Sequence, residues 1–420
     1  MKNQTLKNEV RGILEQTLNY SRSTRFCDKL SDLNFIETHV LRVLGKYASG
    51  RDYLQTLEDD LENDRIARAT YFSSLHSERR RDMIGECENA LYKTLGVEMA
   101  LENVDHFRKF PELDEYDISS FDGHYRKHAC HAPRDDKGKY RATGGIFGLN
   151  MRNGLMQSLV TTDFTVSKTN EIKAFKKRFG ASFIGKRKMI CLLDMAYWDG
   201  PYWQEVKALK QNGIYVITLM KDNLRPTKEV AQEFDRNHPY NFGVESVSEV
   251  TFRSGASSTK IVYRDPETKK KYVYLTTISK IEPGLVAHLY LHRWKIEKVF
   301  DVFKNKLYEK KTWADGEVSA DIQASAVAMA YNLLLRKQEI ALADEGVFEI
   351  KLEEKQKKAI AKRVDRAEKK GRKVHPLVLI PHKFFQMSAQ YIRYFRNNLR
   401  STSLWKDLIP GFEKTMACYL

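Results

Sequence analysis

Two short, continuous apolar runs constrain this chain most. Lys188–Asp194 (KMICLLD) and Ile214–Met220 (IYVITLM) carry no polar alternation. Such runs suit strands buried on both faces. The segment between them, Pro201–Gln211, opens with Pro and is followed by Gly213, the start and stop signals of a helix. Upstream, Tyr116, Ile118, Ser120, Asp122 and His124 fall on one face of a strand, with Phe121 on the other. Strand-like runs follow at Tyr140–Asn150 and Leu155–Thr165. Val166–Gly180 then reads as a helix, with Ser167 as cap and Ile172, Phe175 and Phe179 as its apolar stripe. The order strand-strand-strand-helix-strand-helix-strand predicts a mixed α/β core.

On either side of this core the pattern changes. Residues 1–110 contain no proline and repeat apolar residues at helical spacing, as in Leu30, Leu33, Ile36, Val40 and Leu44. Arg65–Arg81 reads as a short helix, a Ser-Ser break and a basic end. That fits a helix-turn-helix-like module or a plain helical bundle. Residues 221–281 carry strand-like pieces at Glu249–Arg253, Thr259–Tyr263 and Lys271–Thr276, a β-rich insertion. Pro283 opens a long helix to about Leu307, and a second helix spans Ala320–Ala341. The expected organisation is a helical region at 1–110, a core at 111–220 and 282–345 interrupted by 221–281, and a basic helical region at 346–420.

Charge narrows the partner. The chain has 71 Lys+Arg against 55 Asp+Glu, net +16, which points to a polyanion, most often nucleic acid. Residues 1–110 hold 17 basic and 18 acidic side chains, so the excess lies downstream. Its densest run, Lys351–Lys373, has 11 basic and 4 acidic residues. It reads either as a solvated helix face or as a contact for phosphates. No run of 18 apolar residues and no apolar leader are seen, and the five cysteines form no CxxC pair. These features fit a protein of the reducing cytoplasm. His124, His128, Cys130 and His131 match no standard zinc spacing.

Three acids stand out by position. Asp122 lies in the first core strand, Asp194 ends a central buried strand, where α/β folds place ligands, and Glu297 lies in a helix among Trp294, Ile296, Phe300 and Phe303. An acid among so many apolar neighbours needs a partner or a metal. On one continuous helix, Tyr290, Arg293, Glu297 and Lys304 fall within roughly 60° of each other. That stripe is either an intrahelical salt-bridge ladder or a carboxylate poised for metal with cations for phosphates.

The run Tyr290-Leu-His-Arg293-Trp-Lys-Ile-Glu297, with Lys304 seven residues later, resembles the Tyr-x2-Arg-x3-Glu-x6-Lys signature of bacterial DDE transposases of the insertion-sequence-four type. Phe121-Asp122-Gly123 and Leu193-Asp194-Met195-Ala196-Tyr197 resemble that family's two aspartate motifs. The resemblance is strong over about 115–310. It implies an RNase H-like α/β core with a β-rich insertion and helical N- and C-terminal regions, the first of them DNA-binding. It implies that Asp122, Asp194 and Glu297 are catalytic and bind two Mg²⁺ or Mn²⁺ ions. Tyr290, Arg293 and Lys304 would hold DNA phosphates, and Trp294 would offer a surface for a flipped base or pack in the core. The implied chemistry is two-metal-ion phosphoryl transfer: cutting at terminal inverted repeats, then joining to target DNA. A homodimer at the bacterial nucleoid is expected, through Ala326–Leu335 or Phe384–Leu399 unless these pack internally. The alternatives are a domesticated, non-catalytic DNA-binding protein and an RNase H-like metal-dependent nuclease.

Overall fold

The computed structural model describes residues 4–58, 66–129, 134, 138, 143–161, 171–179, 188–208, 213–343, 347–379 and 387–417. Five helices come first: α1 (Leu6–Leu18), α2 (Asp32–Gly45), α3 (Gly50–Glu58), α4 (Arg68–Ser74) and α5 (Glu78–Leu101). Thr5, Ser31 and Ser77 cap α1, α2 and α5 by accepting backbone N–H bonds, which satisfies donors that a helix start leaves open. The basic end of Arg65–Arg81 turns inward. Arg79 grips both carboxylate oxygens of Asp32 at 2.8 and 2.9 Å. Arg80, 6% exposed, donates to the Leu30 carbonyl and lies over Phe35. These two guanidiniums fasten the start of α5 to α2 and the segment before it.

The core strands are β1 (Tyr116–Arg126), β2 (Thr143–Asn150), β3 (Met156–Thr161), β4 (Lys188–Leu192) and β5 (Ile214–Leu219), with α6 (Glu171–Phe179) and α7 (Gly200–Lys207) between the later ones. The strand-and-helix order expected from the sequence is present among the described residues. The expected cap Ser167 lies outside the described residues, as do Cys130 and His131. Four more strands follow: β6 (Lys228–Gln232), β7 (Val244–Thr251), β8 (Ser257–Arg264) and β9 (Lys271–Thr276). All nine form one mixed sheet in the order β3-β2-β1-β4-β5-β9-β8-β7-β6. The pairs β1/β4 and β4/β5 are parallel; both apolar runs therefore sit mid-sheet, and β4 is buried on both faces. The edge strand β6 is exposed throughout and carries Lys228 and Glu229, charges that discourage edge-to-edge pairing.

The long helix expected from Pro283 to about Leu307 is not continuous. It divides into α8 (Pro283–His292), a turn at Arg293–Trp294, α9 (Lys295–Asp301) and a π-helical turn over Val302–Lys306. The aromatic packing accounts for the widened turn. Phe300 and Phe303 both press onto Phe147 and His124 of the sheet, and the chain closes with an i→i+5 bond from Leu307 N–H to the Val302 carbonyl. Such π-bulges occur often at functional sites.

Helix α10 (Glu317–Ala343) is long and apolar enough to cross a membrane, but 89% of its apolar window is buried within the protein. Helix α11 (Val347–Glu368) follows, then α12 (Ala389–Asn398) and α13 (Trp405–Ala417). Ala326–Leu335 is buried throughout, and Tyr391 of α12 donates to the Leu334 carbonyl. Internal packing, one of the two uses expected for these stretches, is what the fold shows; Phe384–Gln386 lie outside the described residues.

Candidate active site

The strand register places two of the acids. The last paired residues of parallel β1 and β4 are Ser120 and Leu192. Asp122 and Asp194 are each two residues further on. They stand at the same step of neighbouring strands, where parallel strands end and ligands gather. Asp194 has left the strand to cap a 3₁₀ turn, Met195–Tyr197, accepting the Met195 N–H at 2.7 Å.

The third acid arrives from the broken helix. Its turn puts Arg293 against β1, where the Arg293 carbonyl accepts from Ser120 Oγ at 3.4 Å. The Arg293 guanidinium is 7% exposed and reaches Asp122 Oδ2 at 3.4 Å with one nitrogen and Glu297 Oε1 at 2.9 Å with another. Burial opposes its charge, but Tyr290, Asp122, Glu297 and Asp194 outweigh burial and raise its pKa. Two of the three acids thus meet on one guanidinium.

Asp122 is the perturbed member. Burial pushes its pKa up to about 6; the Gly123 N–H and Arg293 oppose this, and Glu171 and Glu297 add to it. The site therefore carries negative charge that Arg293 alone does not neutralise. The donor set is carboxylate only, which suits hard, oxygen-seeking divalent cations. Among the described residues no three such side chains stand close enough to share one ion. Arg293 takes the position between Asp122 and Glu297.

The remaining expected residues fall into different environments. Trp294 is 58% exposed beside the acids, with Arg293 5.4 Å from its ring centre; of its two expected uses, core packing is excluded. Lys304 is exposed on the π-helical turn. Tyr290 is only 3% exposed, its ring 5.2 Å from Tyr274, and burial raises its pKa to about 12. The helix is interrupted, yet Arg293 still meets Glu297 at 2.9 Å and lies 5.8 Å from the Tyr290 ring centre, while Lys304 follows on the π-helical turn. His124 is 1% exposed among Phe147, Phe300 and Phe303, and burial holds it neutral.

Sequence reasoning missed Glu171. Its Oε1 accepts from Tyr125 Oη at 2.7 Å, and its charge raises the pKa of Asp122. A Cβ at Gly123 would stand 2.8 Å from the same oxygen. Glu171 opens α6, whose Phe175 packs edge-on against Phe121 at 5.4 Å. No spacing in the chain links Glu171 to the other acids; the glycine beside Asp122 was the one local sign of a close neighbour.

Comparison with known proteins adds a family. The family model described as the transposase DDE domain matches residues 119–333, a span that runs from β1 into α10 and includes all three acids. A comparison with curated proteins gave no match.

Proposed function

The chain belongs to the transposase DDE domain family, and on that premise we propose that it is a transposase of the insertion-sequence-four type that cuts the ends of its element and joins them to target DNA. The observation that carries this reading is Arg293 held between Asp122 and Glu297, with Asp194 at the same step of the neighbouring strand as Asp122. We read β1–β5 with the flanking helices as an RNase H-like core, β6–β9 as its β-rich insertion, and residues 1–110 as the DNA-reading region.

Asp122, Asp194 and Glu297 would hold two Mg²⁺ or Mn²⁺ ions. Bound there, the ions would activate a water or 3′-hydroxyl and stabilise the leaving oxygen. The protein's own groups position the DNA. Arg293 has donors that match phosphate oxygens and neighbours acids that must stay ionised. Exposed Lys304 offers a point charge to the backbone. Exposed Trp294 offers a face on which an unstacked base can rest, offsetting part of the few kcal/mol that flipping costs. Tyr290, behind Arg293, acts by orienting that guanidinium. We place the activity at the bacterial nucleoid, with two copies joining two ends.

The test is replacement of each acid by Ala in the full chain. Mg²⁺-dependent cleavage of DNA bearing the element's terminal repeats should disappear in all three variants, while affinity for that DNA stays near the parent's. Cleavage that survives Asp122→Ala, Asp194→Ala or Glu297→Ala removes that residue from the catalytic set. A parent that binds repeats but never cuts favours the non-catalytic alternative. Cutting without any preference for the repeats favours the nuclease.

A further inference from the structure

From Glu354 onward, helix α11 is mostly exposed. From Glu354 to Lys370, Ala367 is the one fully buried residue, and Gln356, Ile360 and Val364 are half-buried. Ile360, Val364 and Ala367 follow helical spacing and form one narrow apolar stripe. Beyond the helix end, Arg372 donates to the Glu267 carbonyl at 2.9 Å; Arg363 bonds the Glu267 carboxylate at 2.7 Å. Both contacts pin the helix to the turn between β8 and β9.

On the opposite face, Lys355, Lys358, Lys362 and Arg366 lie at i, i+3, i+7 and i+11. At 100° per residue they share a stripe roughly 80° wide and about 17 Å long. All four are exposed, and none takes part in an ion pair among the described residues; the neighbouring Lys369 is already held by Asp365 at 2.8 Å. Residues 354–373 hold ten basic and three acidic side chains. Like charges stacked along one helix face repel, and between Glu354 and Lys370 little burial offsets that. The row gains from a polyanion that meets it along its length.

We propose that α11 is a phosphate-tracking arm that binds the backbone of double-stranded DNA independently of sequence. Duplex DNA presents one negative charge per roughly 1.7 Å of its axis, so a row about 17 Å long meets several phosphates at once. A membrane surface is the poorer fit: a helix lying on lipid turns its apolar stripe outward to the acyl chains, whereas here the apolar stripe is the half-buried side and charge alone faces out. The proposal rests on the reading of the protein as a DNA-acting enzyme and names a second contact surface for it, outside the acids.

The experiment compares the full chain with a Lys355→Gln/Lys358→Gln/Lys362→Gln/Arg366→Gln variant on a random-sequence duplex of about 30 base pairs, over a salt series. The slope of log affinity against log salt should become shallower by roughly three to four, at about 0.9 per lost phosphate contact. A charge-conserving Lys355→Arg/Lys358→Arg/Lys362→Arg variant should keep the parent's slope; its loss would mean the row acts through folding and would overturn the proposal. An unchanged slope in the Gln variant, with the parent binding normally, overturns the arm and leaves the enzyme reading standing. A parent that binds no duplex overturns both. Salt-sensitive capture by phosphatidylserine vesicles that the Gln variant loses, with no change on DNA, overturns the arm in favour of a lipid surface.

Discussion

Asp122 and Asp194 occupy the same step of two adjacent parallel strands, each two residues past the last paired positions, Ser120 and Leu192. Parallel pairing fixes side-chain direction with a period of two. A slip of one residue between β1 and β4 would turn one of these acids to the other face. The alignment is held by the apolar strands themselves, with Ile118 paired to Ile190 and Ser119 to Cys191. Geometry at the acids is thus a product of core packing.

Arg293 is the cation that lets the acids sit together. Replacing it with Gln leaves Asp122 and Glu297 facing each other without compensation. The metal-free protein should lose about 1–3 kcal/mol, with a melting temperature lower by several degrees. Added Mg²⁺ should raise the melting temperature of Arg293→Gln more than that of the parent, because a divalent ion takes over the neutralisation. An equal Mg²⁺ response in both proteins would separate Arg293 from the acids.

Asp122 sets a pH dependence whose sign follows from its raised pKa. The folded value, about 6, lies above the ordinary value of an unfolded aspartate, about 3.9. Folding therefore favours the protonated form. That contribution is fully present below about pH 4 and is lost as pH rises through about 6. In the absence of metal, Asp122→Asn should be more stable than the parent at pH 7.5, by about 1–3 kcal/mol. The gap should close toward pH 4. Thermal melts across that range, without divalent ions, decide it; a variant less stable than the parent at pH 7.5 would refute the argument.

Glu171 pushes in the same direction on Asp122. Glu171→Gln keeps an acceptor for the Tyr125 hydroxyl but removes the charge. The acid limb of the cleavage profile should move to lower pH, while cleavage at pH 8 changes little. A profile that keeps its position and falls uniformly would make Glu171 a packing residue only.

The sequence carried the acids further than it carried their surroundings. Apolar runs and strand periodicity placed Asp122 and Asp194, because burial on both faces leaves a direct mark on composition. The helix break at Arg293–Trp294 left no such mark: neither residue is Gly or Pro, and what meets the chain there is distant in sequence, Ser120 Oγ at the Arg293 carbonyl and Asp122 at its guanidinium. Glu171 was hidden for a related reason. It comes beside Gly123 and Tyr125 through the packing of α6 on the sheet, a meeting of segments that no local pattern encodes. The basic end of Arg65–Arg81 shows the same limit: Arg79 finds the Asp32 carboxylate inside the fold, a pairing that no local pattern announces.

Arg79 holds Asp32, whose side chain is only 5% exposed, and also donates to the Ser23 carbonyl at 2.8 Å. Asp32 also accepts the Arg25 N–H at 2.7 Å. Arg79→Ala leaves a buried carboxylate without its cation and should cost about 1–3 kcal/mol. Its DNA affinity, measured where the variant remains folded, should stay within about threefold of the parent's, or roughly 0.65 kcal/mol. If Arg79 instead reads DNA, Arg79→Ala will melt like the parent and bind terminal repeats tenfold or more weakly. Trp294, exposed and free of such duties, should show the reverse: Trp294→Ala should move stability by less than about 0.5 kcal/mol and show its defect in processing of the DNA end, where a lost stacking surface is worth about 1–3 kcal/mol per base.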